Sequence, residues 1–158
     1  EGYFSSRLVG RTAYRLLRDA RNIVYEAQQL TEEDIDMQNI QMPRGYSDTL
    51  LMARTLKAYK LLDAKNQDMP FHAGEIHLVN LTALLFCNFD FRETLAFVVN
   101  FGRDNDTTAA VTGAILGAYW GADKLPEQMK ERVLLTNREL LDTDLQQLAS
   151  RLTNRIGS

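Results

Sequence analysis

The segment Gly102-Arg103-Asp104-Asn105-Asp106-Thr107-Thr108 sets two carboxylates two residues apart and follows the second with a hydroxyl. Carboxylate and hydroxyl oxygens are the donors that hard divalent cations prefer. The same residues can also open a helix, because Asp or Thr caps the first backbone amides and acids suit the first turn. An EF-hand loop counted from Asp104 would need Gly and Glu where the chain has Ala109 and Ile115. Three other groups carry reactive types. His72, Glu75 and His77 have the composition of a metal cluster, but their spacing fits neither zinc helix motif. Phe71 and His72 stand just before a helix and could stack on a nucleotide base. Cys87 lies in the apolar run Leu84-Leu85-Phe86-Cys87 without a basic neighbour, which reads as core rather than nucleophile.

The elements around these residues read as helical almost throughout. From Phe4 to Leu30, apolar side chains recur at mixed three and four spacing through Leu8, Ala13, Leu16, Leu17, Ala20, Ile23, Val24 and Ala27. That is one face of an amphipathic helix, in one piece or broken in two. Thr31-Glu32-Glu33-Asp34 looks like a capped helix start, and Met42-Pro43-Arg44-Gly45 like a turn. Ser47 is expected to cap a helix carrying Leu50, Leu51, Leu56, Tyr59 and Leu62. A polar loop over Lys65 to Pro70 precedes a helix running from near Glu75 to Cys87. Asp90 and Glu93 stand at capping-box spacing before a helix through Val99. Pro126 suits the first turn of the next helix, and Thr143 with Gln146 forms a capping box for the last.

Between them lies a helix expected over Thr107 to Ala122. Ala109, Gly113, Gly117 and Gly121 are spaced by four, and so are Ala110, Ala114, Ala118 and Ala122. Glycine inside a helix costs about 1 kcal/mol relative to alanine, so close approach by neighbouring helices is the expected compensation. The reading makes this helix central, with at least three others against its small-residue ridges.

Composition narrows the classes. The 158 residues suit one ordinary domain, and 45% hydrophobic with 25% charged residues excludes a disordered chain. A formal net charge of −3 gives no global basic field for nucleic acid. The most apolar stretch, Thr107 to Ala122, falls short of the roughly 20 residues that cross a bilayer. One cysteine leaves no internal disulfide framework and suits a reducing, cytoplasmic setting. Residue 1 is Glu1 rather than Met, so the chain is expected to be trimmed from something longer.

The string from Asn100 to Gly121 resembles a signature of the ADP-ribosylglycohydrolase family: a Gly-x-Asp-x-Asp-Thr loop running into an Ala/Gly-rich helix that ends near an aromatic pair and Gly, here Tyr119-Trp120-Gly121. Leu125-Pro126 before a helix and Asp90-Phe91 before the loop also resemble the family, and the resemblance spans roughly residues 75 to 133. It implies an all-α helical domain binding a pair of Mg2+ ions, sometimes Mn2+, with Asp104, Asp106 and Thr107 as C-terminal ligands. Family domains are about twice this length. Their first half holds a Gly-Asp loop and a Thr-Asp-Asp-Thr cluster, and neither occurs here; Thr31 to Asp34 is nearest in composition. The resemblance therefore implies that residues 1–158 are a single helical region forming the C-terminal half of such a domain.

By that resemblance, the expected activity is metal-dependent hydrolysis of the glycosidic bond joining ADP-ribose to a protein side chain or a smaller compound. The general acid or base would lie in the other half. Expected partners are the ADP-ribosylated substrate and either the N-terminal half or a second copy of this chain, with no nucleic acid and no membrane. The alternative is a non-catalytic structural or interaction protein of the same fold, since fold does not fix function.

Overall fold

A computed structural model describes residues 11–35, 48–66 and 72–156. The described residues form seven α-helices and two short 3-10 turns, with no strand among them. In chain order the helices are α1 (Arg11–Gln28), α2 (Thr49–Asp63), α3 (Ala73–Phe86), α4 (Phe91–Phe101), α5 (Asn105–Trp120), α6 (Glu127–Leu141) and α7 (Leu145–Ile156). This is the all-α class expected from the sequence. The turn expected at Met42 to Gly45, the start of the first helix before Arg11 and most of the Lys65 to Pro70 loop lie outside the described residues.

The helix starts follow the chemistry of their caps. Asp90 accepts the Glu93 amide at 2.8 Å, as its spacing predicts. The other two expected caps shift by one residue. Asp48 accepts the Leu51 amide at 2.8 Å, next after Ser47, which lies outside the described residues, and Asp144, not Thr143, accepts the Gln147 amide at 3.0 Å. In both places a hydroxyl residue precedes an aspartate. The ionised carboxylate is the stronger acceptor for a backbone N–H, so the helix begins behind it. Thr31 opens only the 3-10 turn Glu32–Asp34, donating its own amide to Asp34 at 2.9 Å.

The chain divides into two compact units, Glu1–Ile115 and Leu116–Ser158, the division falling within α5. In the first unit α1 packs on α2 and α3, and α3 on α4. Its core joins Ala20, Ile23 and Ala27 of α1, Ala58 and Leu62 of α2, Leu78, Val79 and Ala83 of α3, and Phe97 and Val98 of α4. The Phe97-Val98-Val99 run, β-branched in part, is helical because its first two side chains enter this core. In the second unit α6 packs on α7. No described helix is long and apolar enough to cross a membrane.

The expectation for the small-residue ridges is corrected. No described atom lies within 4 Å of a Cβ built on Gly113 or Gly117, and Ala110, Ala114 and Ala118 are exposed. The buried line of α5 is instead Thr108, Thr112 and Leu116, spaced by four. The close-packing methyl groups sit elsewhere: Ala20, Ala27, Ala58 and Ala83 are each fully buried. A consequence is measurable. Gly117→Ala should stabilise this chain by about 0.5–1 kcal/mol, because it removes glycine's extra backbone entropy without meeting a neighbour. Thermal melting checks it; a lowered midpoint would show that something covers the ridge.

Candidate functional site

The loop between α4 and α5 reverses the chain through two successive residues at positive φ, Gly102 at 87° and Arg103 at 56°. Gly102 enters this region without a Cβ clash. For Arg103 the left-handed conformation costs about 1–2 kcal/mol, which its contacts must offset. Asn105 ties the two helices across the turn by donating from Nδ2 to the Val99 carbonyl at 3.1 Å. The Asp104 carbonyl then accepts both the Thr108 amide, at 3.1 Å, and the Thr108 hydroxyl, at 2.8 Å. Its backbone thus begins α5.

Asp104 and Asp106 come together here. The neighbouring Asp104 side chain, first, and then the backbone amides of Thr107 and of Asp106 itself hold Asp106 below its ordinary pKa of 3.8. When both groups are ionised they repel each other at close range, and a divalent cation would relieve the repulsion. Thr107 follows in the same first turn and is exposed, as is Asp106. The donor set therefore suits a hard cation, but only in part. Two carboxylates and one hydroxyl do not complete a coordination shell of six or more oxygens. No group of three or more His, Cys, Asp or Glu side chains among the described residues could hold a metal by itself.

Two polar contacts fix the loop and α5 to α3. Glu75, only 6% exposed, accepts from Arg103 with both carboxylate oxygens, through Nε to Oε1 and through Nη2 to Oε2 at 3.1 Å. This fork is the geometry in which guanidinium and carboxylate bind most strongly. Farther along the same pair of helices, the Thr112 hydroxyl meets Asn80 Oδ1, and Asn80 Nδ2 donates to the Ile76 carbonyl at 2.8 Å. Both side chains are almost wholly buried. Neither contact was visible in the sequence. In the sequence Glu75 stands out only with His72 and His77, and its partner is 28 positions away.

The remaining candidates separate. His72 caps α3, accepting the Gly74 amide on Nδ1 at 3.1 Å; Glu75 turns to Arg103; His77 is exposed. Phe71, offered with His72 as a stacking platform, lies outside the described residues. Burial pushes the Cys87 thiol up to about 12, with Glu93 and Asp90 adding to the effect, so it is a poor nucleophile. A groove of about 610 Å³ in the first unit is lined by apolar residues including Leu51, Leu56, Tyr59 and Phe97. It lies away from the carboxylates. The recess beside Asp104, bordered by Glu75, Arg103 and Thr108, is far smaller.

An all-helical chain with paired aspartates at the entry to an Ala/Gly-rich helix has its counterpart among known proteins. The profile of the ADP-ribosylglycohydrolase family matches residues 1–158, and the chain belongs to that family. It is similar to the ADP-ribosylhydrolase ARH3 of Homo sapiens, 42% identical over 40 residues, which is 25% of this chain and 11% of that protein. The protein of the same name from Bos taurus is 40% identical over 40 residues, with the same coverage. The match thus takes in a small part of these relatives' length. No solved structure matches the chain.

Proposed function

We propose that this chain contributes to hydrolysis of the glycosidic bond between ADP-ribose and an acceptor, a protein side chain or a smaller compound. What carries the reading is the placing of Asp104 and Asp106 side by side at the start of α5, in a chain matched by the family over its whole length. Asp104, Asp106 and Thr107 would hold Mg2+, or Mn2+, as part of a two-ion site whose other oxygens come from a segment or copy beyond these residues. Bound there, hard cations supply Lewis acidity toward sugar and water oxygens. The chain's own part is to hold two negative charges close together and to set them against a helix N-terminus. The acid or base that moves the proton is not among the residues gathered here. We place the protein in the cytoplasm, where a lone thiol such as Cys87 persists.

The open Gly113 and Gly117 positions support a covering partner, either the N-terminal half of the domain or a second copy. They equally support a second reading, in which the chain is a non-catalytic interaction module. An assay separates the two. With Mg2+ and an ADP-ribosylated protein as substrate, the complete protein should release free ADP-ribose, and chelation should stop it. A folded, complete protein that binds Mg2+ but releases none would favour the second reading. Light scattering tests the partner: a monodisperse 18 kDa monomer without an apolar patch beside Asp104 would remove the need for one.

A further inference from the structure

We propose that Glu75 and Arg103 are a positioning pair that holds the Asp104–Thr108 loop in the shape that receives a cation. The inference rests on the reading of Asp104 and Asp106 as metal ligands, and it concerns residues outside that ligand set. Arg103 immediately precedes Asp104 and adopts a left-handed backbone, at φ 56°. Nothing in an arginine favours that conformation, so a contact must hold it there. The bidentate contact to Glu75 is well placed to do so. Both carboxylate oxygens are engaged, and the Glu75 side chain is 5% exposed against 28% for Arg103. Glu75 is anchored in the first turn of α3, a helix fixed to the core through Leu78, Val79 and Ala83. The fork therefore transmits the position of a rigid helix to the residue next to the first ligand. Asn80 and Thr112 add a second tie between α3 and α5 farther along.

Arg103 does not face the cation as a ligand, since a guanidinium has no lone pair to offer. Its role is geometric. Lysine at 103 would keep the charge and lose the fork. The reporter is the Thr108 amide, which donates the first bond of α5 to the Asp104 carbonyl at 3.1 Å.

The test uses the whole chain, labelled with nitrogen-15, as parent, Arg103→Lys and Glu75→Gln. Hydrogen exchange at Thr108 is measured without metal, and paramagnetic broadening of residues 104–108 is measured during titration with Mn2+. Both variants should exchange the Thr108 amide about 10-fold faster, and should need about 10-fold more Mn2+ for equal broadening. Amides of α1 and α2 should keep their parental exchange. Should Glu75→Gln fail to fold, Arg103→Lys, at the more exposed partner, decides alone. Parental exchange and parental Mn2+ dependence in Arg103→Lys would overturn the pair while leaving the metal reading intact. Absence of broadening at residues 104–108 in the parent would instead overturn the metal reading, and with it this proposal.

Discussion

Alanine at Asp106 should lower the release of ADP-ribose by the complete protein by about 10²–10³-fold, the equivalent of the several kcal/mol that a bound Lewis acid supplies. The far-ultraviolet helical signal should be unchanged, because Asp106 is exposed and the backbone bond that starts α5 is made by Asp104 and Thr108. Asp106→Asn should fall nearly as far. It keeps the shape but removes the charge that draws a hard cation. The pH dependence has a definite sign. The folded pKa of Asp106 lies below its ordinary 3.8, owing first to the neighbouring Asp104 side chain and then to backbone amides. Its contribution to stability is therefore present above the ordinary value and fades as pH falls through the lowered one. Asp106 is ionised throughout the neutral range, so activity there should not follow its titration. A wild-type rate from Asp106→Ala would remove this residue from the site.

The second large effect is on stability. Phe97→Ala should destabilise the first unit by about 3–5 kcal/mol, the cost of deleting a buried aromatic side chain and leaving its cavity. Phe97 is 4% exposed. Tyr59 of α2 meets its ring edge-on with centroids 4.8 Å apart, and the Phe86 ring of α3 lies 5.2 Å away. Tyr59 also donates its hydroxyl to the Phe97 carbonyl at 2.7 Å, so the cavity would loosen a polar contact as well. Since whole domains are stable by only about 5–15 kcal/mol, this variant should stand near its unfolding midpoint at room temperature. Urea titration followed by circular dichroism measures it. A shift below about 1 kcal/mol would mean that Phe97 is not in the core.

Much of this was legible in the chain. Helix periodicity located α1, since apolar spacing is dictated by which face must be buried. The Asp104-Asn105-Asp106-Thr107 string was legible because both functions open to it, capping and cation binding, demand the same oxygen-rich residues at one turn. The failures have physical causes. Thr143 lost its cap to Asp144, and the cap of α2 is Asp48, a competition between acceptors that residue type alone does not rank. The Gly113 and Gly117 ridge was read as a packed seam, yet within this chain that seam falls to Ala20, Ala27, Ala58 and Ala83. Small size permits close approach; it does not say which helix arrives. Glu75 with Arg103, and Asn80 with Thr112, were invisible because each joins positions 28 or more residues apart, where no local pattern can speak.

The most direct measurement of the central claim is to titrate Mn2+ into the nitrogen-15-labelled chain and find which amides broaden first. Paramagnetic broadening reports even millimolar binding, the range expected for part of a two-ion site. The amides of residues 104–108 should broaden before all others, Mg2+ should compete, and Asp106→Ala should abolish the effect. Broadening that begins elsewhere, at Glu32–Asp34 or Asp142–Asp144 for example, or that survives Asp106→Ala unchanged, would contradict that claim.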